Sequence, residues 1–284
     1  MTGRIWRCGD HVFELGHRTL VMGIVNVTPD SFSDGGLFHE REAAVAHGAK
    51  LADEGADILD VGGESTRPGS ESVPIEEELG RVLPVIEGLR AARPETPVSI
   101  DTRHAEVAAK AIEAGAAVVN DVTAGRDPDM FRVVHDGGPG MVLMHMLGEP
   151  KTMQENPRYE DVVGEVHGSL RERVEAAVFA GIDAERLAVD PGIGFGKNLD
   201  HNLALLRSLR AFTDLDAALL VGVSRKRFVG ALTGVDDPMR RLEGSLAAAL
   251  WCAANGADVV RVHDVRETVD ALKVLDAVAR EQAE

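Results

Sequence analysis

The sequence predicts a (β/α)8 TIM barrel with a short N-terminal hairpin, and three observations predict it. A unit recurs in which a helix-compatible stretch stops at Gly, then Ala, an apolar run and a polar residue. Copies stand at Gly55-Ala56-Asp57-Ile58-Leu59-Asp60, from Gly115 to Asp121 and from Gly256 to His263, with a looser copy from Gly181 to Asp190. This is the pattern of a helix ended by a left-handed glycine, a tight loop and a buried parallel strand. Second, the gaps between copies hold further apolar runs, eight in all, each followed by a helix-compatible segment. Third, no Gly-x-Gly-x-x-Gly follows the first run, as an open dinucleotide-binding sheet would require. Eight such units within 284 residues therefore close into a barrel.

The elements follow in order. Residues 5–8 and 11–15 flank Gly9-Asp10 and read as a hairpin that caps the barrel floor. This makes residues 1–19 a hairpin extension and residues 20–284 a single barrel domain. Barrel strands are expected at 20–27, 58–62, 98–101, 118–121, 141–145, 187–190, 219–223 and 259–262. The acidic run Glu76-Glu77-Glu78 after Pro74 suits the first turn of a helix, where the macrodipole favours negative charge without any functional role.

Composition narrows the function classes. A net charge of −17 repels phosphodiester backbones, so nucleic-acid partners are not expected. Two cysteines, Cys8 and Cys252, make neither a disulfide framework nor a cysteine metal cluster, and they suit a reducing cytoplasm. No apolar run is long enough to span a membrane, and residues 1–20 lack the apolar stretch of a signal peptide.

In such a barrel the C-terminal strand ends and the loops after them build the active site. Those ends read Asn26, Gly62-Gly63-Glu64, Asp101, Asn120-Asp121, His145, Asp190, Ser224-Arg225-Lys226 and Arg261-Val262-His263. Carboxylates and carboxamides suit a flat heterocycle rich in N–H donors. Arg67, Arg261 and His263 suit a diphosphate. Asn26 offers a neutral oxygen to Mg2+, which commonly takes one or two protein oxygens together with phosphate and water. No His/Cys pair sits at zinc-ligand spacing.

The stretch from Ile24 to Gly36, IVNVTPDSFSDGG, resembles the first signature of the dihydropteroate synthases, and Gly55 to Gly69, GADILDVGGESTRPG, resembles the second. The resemblance continues through SIDT at Ser99, VNDV at Val119, VLMHM at Val142, DPGIGFGKN at Asp190, VGVSRKRFVG at Val221 and RVHDV at Arg261. It runs in the family's order over nearly the whole chain.

The resemblance implies that p-aminobenzoate displaces diphosphate from a dihydropterin methylene, giving 7,8-dihydropteroate for folate. It implies a pterin edge held by Asp101, Asn120, Asp190 and Lys226, with Met144 and Val122 along its faces. Asn26 would hold Mg2+ on the diphosphate, and Thr66, Arg261 and His263 would bind the leaving group. Phe32, Thr66, Arg67, Pro68 and Phe195 would form the aminobenzoate pocket, where sulfonamides compete. It also implies a homodimer, and the apolar stretch Leu246–Ala254 suits either a dimer face or a core helix.

An arylamine is a neutral, weakly basic nucleophile, so the chemistry needs stabilisation of a departing polyanion more than a strong base. This favours a dissociative, SN1-like displacement, with Asp101 stabilising the pterin cation and Lys226, Arg261 and His263 completing the catalytic set.

Glu64 and Asp121 are expected as scaffold, and His145 either as a buried histidine hydrogen-bonded under the pocket or as a ligand contact. Where some members carry serine after the motif lysine, this chain has Arg227, which binds the aminobenzoate carboxylate or points to solvent. The rivals are a methyltetrahydrofolate methyltransferase on the same barrel, and a non-catalytic pterin- or protein-binding paralogue. The first does not need the Ser65-Thr66-Arg67-Pro68-Gly69, Ser224-Arg225-Lys226 or Arg261-Val262-His263 motifs for a diphosphate. The second should have lost a residue at the barrel mouth.

Overall fold

In a computed structural model, which describes residues 4–27, 36–65, 70, 72–149 and 151–279, eight parallel strands close into a barrel. A two-stranded antiparallel ribbon precedes it, β1 (Ile5–Cys8) and β2 (His11–Glu14). The barrel strands are β3 (Leu20–Asn26), β4 (Ile58–Gly62), β5 (Val98–Asp101), β6 (Val118–Asp121), β7 (Gly140–Met144), β8 (Leu187–Asp190), β9 (Ala218–Gly222) and β10 (Val259–Val262). They pair in chain order, and β10 closes the ring between β9 and β3.

Three of these strands differ by a residue from the ends expected from sequence, because the ladder outlasts the regular strand: Val27 N still donates to Gly62 O at 2.8 Å and His145 N to Asp190 O at 2.9 Å.

The helices are α1 (Gly36–Asp53), α2 (Ile75–Ala92), α3 (Ala105–Glu113), α4 (Met130–Gly137), α5 (Val162–Phe179), α6 (Leu199–Arg207), α7 (Arg227–Thr233), α8 (Leu242–Ala254) and α9 (Val265–Ala279). The connection from β9 to β10 carries two of them, α7 and α8. Among the described residues, no helix is long and apolar enough to cross a membrane.

The recurring Gly-Ala unit works as its pattern implies. Gly55, Gly115, Gly181 and Gly256 all take positive φ, between 93° and 102°. Asp57 and Asp258 fill the same place in two copies, and each carboxylate accepts the first amides of a neighbouring strand: Val21 N to Asp57 and Leu219 N to Asp258, both at 2.8 Å. Arg18 and Arg4, on either side of the hairpin, pair with those same carboxylates.

Strand alternation divides the core in two. Val21, Leu59, Ile100, Val119, Leu143, Val189, Val221 and Val260 face the helices. Met22, Ile58, Val118, Val142, Ala188, Leu220 and Val259 face inward and fill the lower barrel, where Trp6, Cys8 and Leu15 of the hairpin region join them. The Trp6 indole Nε1 donates to Arg186 O at 3.2 Å. A Cβ on Gly140 would stand 2.8 Å from the Cys8 sulfur, so the strand that rests on the hairpin has room only for glycine there. The hairpin therefore plugs the N-terminal mouth and leaves the other end for chemistry.

Candidate active site

Above the apolar layers the same inward-facing rows turn polar. Continuing each row by two residues gives Asp60 on β4, Asp101 on β5, Asn120 on β6, Asp190 on β8 and Arg261 on β10. All four Asp and Asn side chains are buried, Asp60 completely.

Arg261 ties this layer together. Its Nε donates to Asp60 Oδ2 at 2.5 Å and its Nη2 to Asp101 Oδ2 at 2.7 Å, while Asn120 Nδ2 donates to Asp60 Oδ2 at 3.0 Å. One guanidinium thus bridges two carboxylates across the barrel. The second oxygens of Asp60 and Asp101 are buried and have no hydrogen-bond partner among the described residues. Burial pushes the Asp101 carboxyl up to about 7, with Arg261 opposing the rise and Asp60 adding to it. Burial lowers the Arg261 affinity for its proton, but Asp60 and Asp101 more than offset that, so its pKa stands above the ordinary guanidinium value.

Across the pit, Asp190 Oδ1 accepts the Gly192 amide at 2.7 Å. Burial raises its pKa, while Lys226 opposes the rise. Lys226 donates to the Ile193 carbonyl, and its ammonium lies 4.6 Å from the centre of the Phe195 ring. Burial pushes Lys226 down to about 8, against the pull of Asp190. Val122, Met144, Met146, Met153 and Phe195 pack as a separate apolar cluster beside these groups.

The motif around Lys226 is held from below. Arg225 takes φ +58°, and its Nε donates to Asp264 at 3.1 Å. Arg241 Nη1 donates to Arg225 O at 3.0 Å, and Ser245 Oγ accepts from Arg225 N at 2.9 Å. His263 lies beside Ser224, with Nδ1 3.0 Å and the backbone N 3.2 Å from its hydroxyl.

The structure brings together Asp101, Asn120, Asp190, Lys226, Arg261, Met144, Val122 and Phe195, with Asn26 and His263 at strand ends on the same face. Phe32, Thr66, Arg67 and Pro68 lie outside the described residues. Arg227 is exposed at the start of α7.

Asp121 is scaffold as expected: its oxygens accept Thr123 N at 2.7 Å and Gly125 N at 2.6 Å. Glu64 is also scaffold, receiving Arg103 Nε and Nη2 at 3.1 and 3.0 Å. His145 accepts from the buried Lys197 ammonium at Nδ1, 3.0 Å, and burial pushes the imidazole down to about 3, so it is neutral. Glu76, Glu77 and Glu78 lie in the first turn of α2 as expected, and Glu78 turns inward from it. It is completely buried, and burial raises its carboxyl to about 7.

Two groups were missed from sequence. Asp60 stands mid-strand in Ile58-Leu59-Asp60-Val61, and a carboxylate on an inward-facing barrel position is itself a signal, since unpaired buried Asp is rare. Lys197 is 2 % exposed and is stamped by burial down to about 7.

Oxygen donors of the mouth fit a hard cation. Asn26 sits in register with Gly62, which is in register with Asp101, whose Oδ1 has no hydrogen-bond partner among the described residues. Ligand atoms of Glu64, Glu78 and His104 also lie within 4.8 Å of one another, but Arg103 occupies both Glu64 oxygens.

Residues 22–263 match the family described as pterin binding enzyme. A dihydropteroate synthase of Escherichia coli (strain K12) is 49% identical over 257 residues, 90% of each chain. The structure of Xanthomonas albilineans dihydropteroate synthase with 4-aminobenzoic acid superposes with a TM-score of 0.92 at 52% identity, covering 99% of this chain and 100% of that one. The same enzyme in complex with 7,8-dihydropteroate superposes with a TM-score of 0.88 at 50% identity, covering 98% and 100%.

Proposed function

The chain belongs to the dihydropteroate synthase family of pterin-binding enzymes, and from that membership we propose how its own residues divide the reaction. It is a transferase of folate synthesis that joins p-aminobenzoate to a dihydropterin methylene and releases diphosphate. The observation that carries the residue assignment is the convergence of Asp101, Asn120, Asp190 and Lys226 on one pit, with Arg261 spanning it.

The pterin's N–H edge is read by acceptors. Asp190 and the free oxygens of Asp60 and Asp101 accept from it, and Asn120, fixed by its bond to Asp60, presents its carboxamide oxygen. Lys226 donates to a ring acceptor from above Phe195. Met144 and Val122 close the ring faces and keep water out. His263 and Arg261 face the diphosphate, joined by Thr66. Arg67, Pro68 and Phe32 complete the aminobenzoate pocket with Phe195, and sulfonamides compete there.

The displacement is dissociative. The bond between the methylene carbon and the diphosphate oxygen breaks first, and its electron pair leaves with diphosphate. The positive charge left on the pterin methylene is stabilised by Asp101, which must be ionised. The arylamine nitrogen then bonds to the carbon and loses its proton to solvent. Asn26 would hold Mg2+, which would supply positive charge to offset that of the departing diphosphate.

Two further assignments go with this reading. An apolar groove between α6, α7 and α8, lined by Leu206, Phe228, Leu232, Ala248 and Trp251, supports a homodimer. Leu232 and Trp251 stand 57% and 49% exposed at its edge, which suits burial by a second copy. Free, buried Cys8 and Cys252 suit a reducing cytoplasm.

The test is turnover. Protein mixed with the pterin diphosphate, p-aminobenzoate and Mg2+ releases diphosphate and forms dihydropteroate in equal amounts, and chelation of Mg2+ slows both. Absence of diphosphate release with Mg2+ present would favour a methyltransferase or a non-catalytic pterin binder.

A further inference from the structure

Residues 192–196, Gly-Ile-Gly-Phe-Gly, form a turn after β8, closed by a bond from Phe195 N to Gly192 O at 3.1 Å, whose other carbonyls are all bonded by side chains. Four of its carbonyls meet side-chain donors, two of them on the stretch after β7, one on the residue that follows the turn and one on the loop after β9. Ile193 O accepts from Lys226 Nζ, Gly194 O from Gln154 Nε2 at 2.7 Å, Phe195 O from Lys197 Nζ at 2.9 Å, and Gly196 O from Tyr159 OH at 3.0 Å. Its amides are engaged as well: Gly192 N donates to Asp190 and Gly194 N to Asn202, both at 2.7 Å.

The turn is also pressed against the chain that follows β7. A Cβ on Gly192 would stand 1.9 Å from His145 O, and one on Gly196 would stand 2.6 Å from Leu147 O. The same stretch after β7 carries Gln154 and Tyr159, and its Met153 packs in the cluster with Phe195. The Tyr159 ring is itself set edge-on to His201 at 4.9 Å, so its hydroxyl has a fixed direction.

A backbone with three glycines in five residues has many conformations open to it. A hydrogen bond to every carbonyl leaves it one. The ring that this holds in place is Phe195, beneath Lys226.

We propose that Gln154 and Tyr159 are positioning residues for the aminobenzoate: their hydrogen bonds to Gly194 and Gly196 fix the turn so that Phe195 forms a rigid pocket wall. This rests on the assignment of Phe195 to the aminobenzoate pocket. Neither residue touches substrate. The pterin edge is held by Asp101, Asn120, Asp190 and Lys226, none of which bonds to these two side chains; Asp190 and Lys226 meet the turn at Gly192 and Ile193, before the Gly194 and Gly196 carbonyls that flank Phe195, so the aminobenzoate side responds more strongly.

Tyr159→Phe and Gln154→Met delete a donor with little change of shape and no added charge. Each is expected to raise KM for aminobenzoate about fivefold, the factor that one net hydrogen bond is worth. KM for the pterin diphosphate stays within about twofold by the same scale, and amide hydrogen exchange across residues 192–197 quickens. Equal rises in both KM values, or unchanged KM values with unchanged exchange, overturn the proposal. If the wild type itself makes no dihydropteroate, the catalytic reading fails separately. Aminobenzoate binding and the exchange rates then decide the role of the two residues without turnover.

Discussion

Nη2 of Arg261, on β10, lies 2.7 Å from Oδ2 of Asp101, on β5, although 160 positions separate them in the chain. With Asp60 on its other nitrogen, the guanidinium sits between two buried carboxylates. A lone buried Asp would take up a proton and lose its charge. Arg261 opposes that, while Asp60 works the other way, and the balance leaves Asp101 near neutrality at about 7.

This balance predicts a pH profile. Asp101 acts ionised and Lys226 acts protonated, so kcat/KM for the pterin diphosphate rises through about 7 and falls above about 8. Asp60→Asn removes a like charge that raises the Asp101 pKa, so the acid limb moves to lower pH. Initial rates from pH 5 to 10 check this, and an acid limb that stays or moves up contradicts it.

Glu78 predicts a pH-dependent stability. Its folded pKa of about 7 exceeds its ordinary 4.5, so the native state holds more protons than the unfolded chain between those values. Stability therefore falls as pH rises through this window. Glu78→Gln removes the effect and gains stability above pH 7, with a ceiling of roughly 3 kcal/mol from the size of the interval. Urea denaturation at pH 5 and pH 8 measures it, and an unchanged difference between the two would count against the assignment.

The barrel was legible because its signal is local and repeated. Gly-Ala followed by an apolar run marks a helix end and a buried strand wherever it occurs, and the strands lie within a residue of their expected ends. The polar ring was legible too, since Asp101, Asn120 and Asp190 end their strands. Partnership was not. No periodicity shows that Arg261 faces Asp60, or that Gln154 and Tyr159 reach the turn at residues 192–196. Those contacts depend on barrel closure and on loop paths. The burial of Glu78 was not legible either, because three consecutive acids look alike in sequence, while helix α2 turns only the third one inward.

The hairpin is expected to support stability without touching the chemistry. Trp6 is completely buried in the floor, far down the inward rows from the polar ring. Trp6→Ala costs about 3–5 kcal/mol of unfolding free energy. The fraction that remains folded keeps its kcat/KM within about threefold, a change under 1 kcal/mol. Thermal melts and initial rates report the two effects. A large loss of kcat/KM in folded protein would mean that the floor shapes the site.

The groove at α7 and α8 predicts the oligomeric state. Leu232→Glu places a charge on its exposed edge and is expected to convert a dimer to monomers of unchanged helical content. Sedimentation velocity reads this directly. A wild type that sediments as a monomer at micromolar concentration would show that the groove is not a dimer face.

The central claim is that a pterin binds in the pit formed by Asp101, Asn120, Asp190 and Lys226. Titration calorimetry with 6-hydroxymethyl-dihydropterin tests it most directly. The account predicts one site per chain in the wild type and a loss of affinity of about a hundredfold or more in Asp190→Asn, since an ionised acceptor in a buried site is worth about 3 kcal/mol. Equal affinity in the wild type and the variant would place the pterin elsewhere and contradict the account.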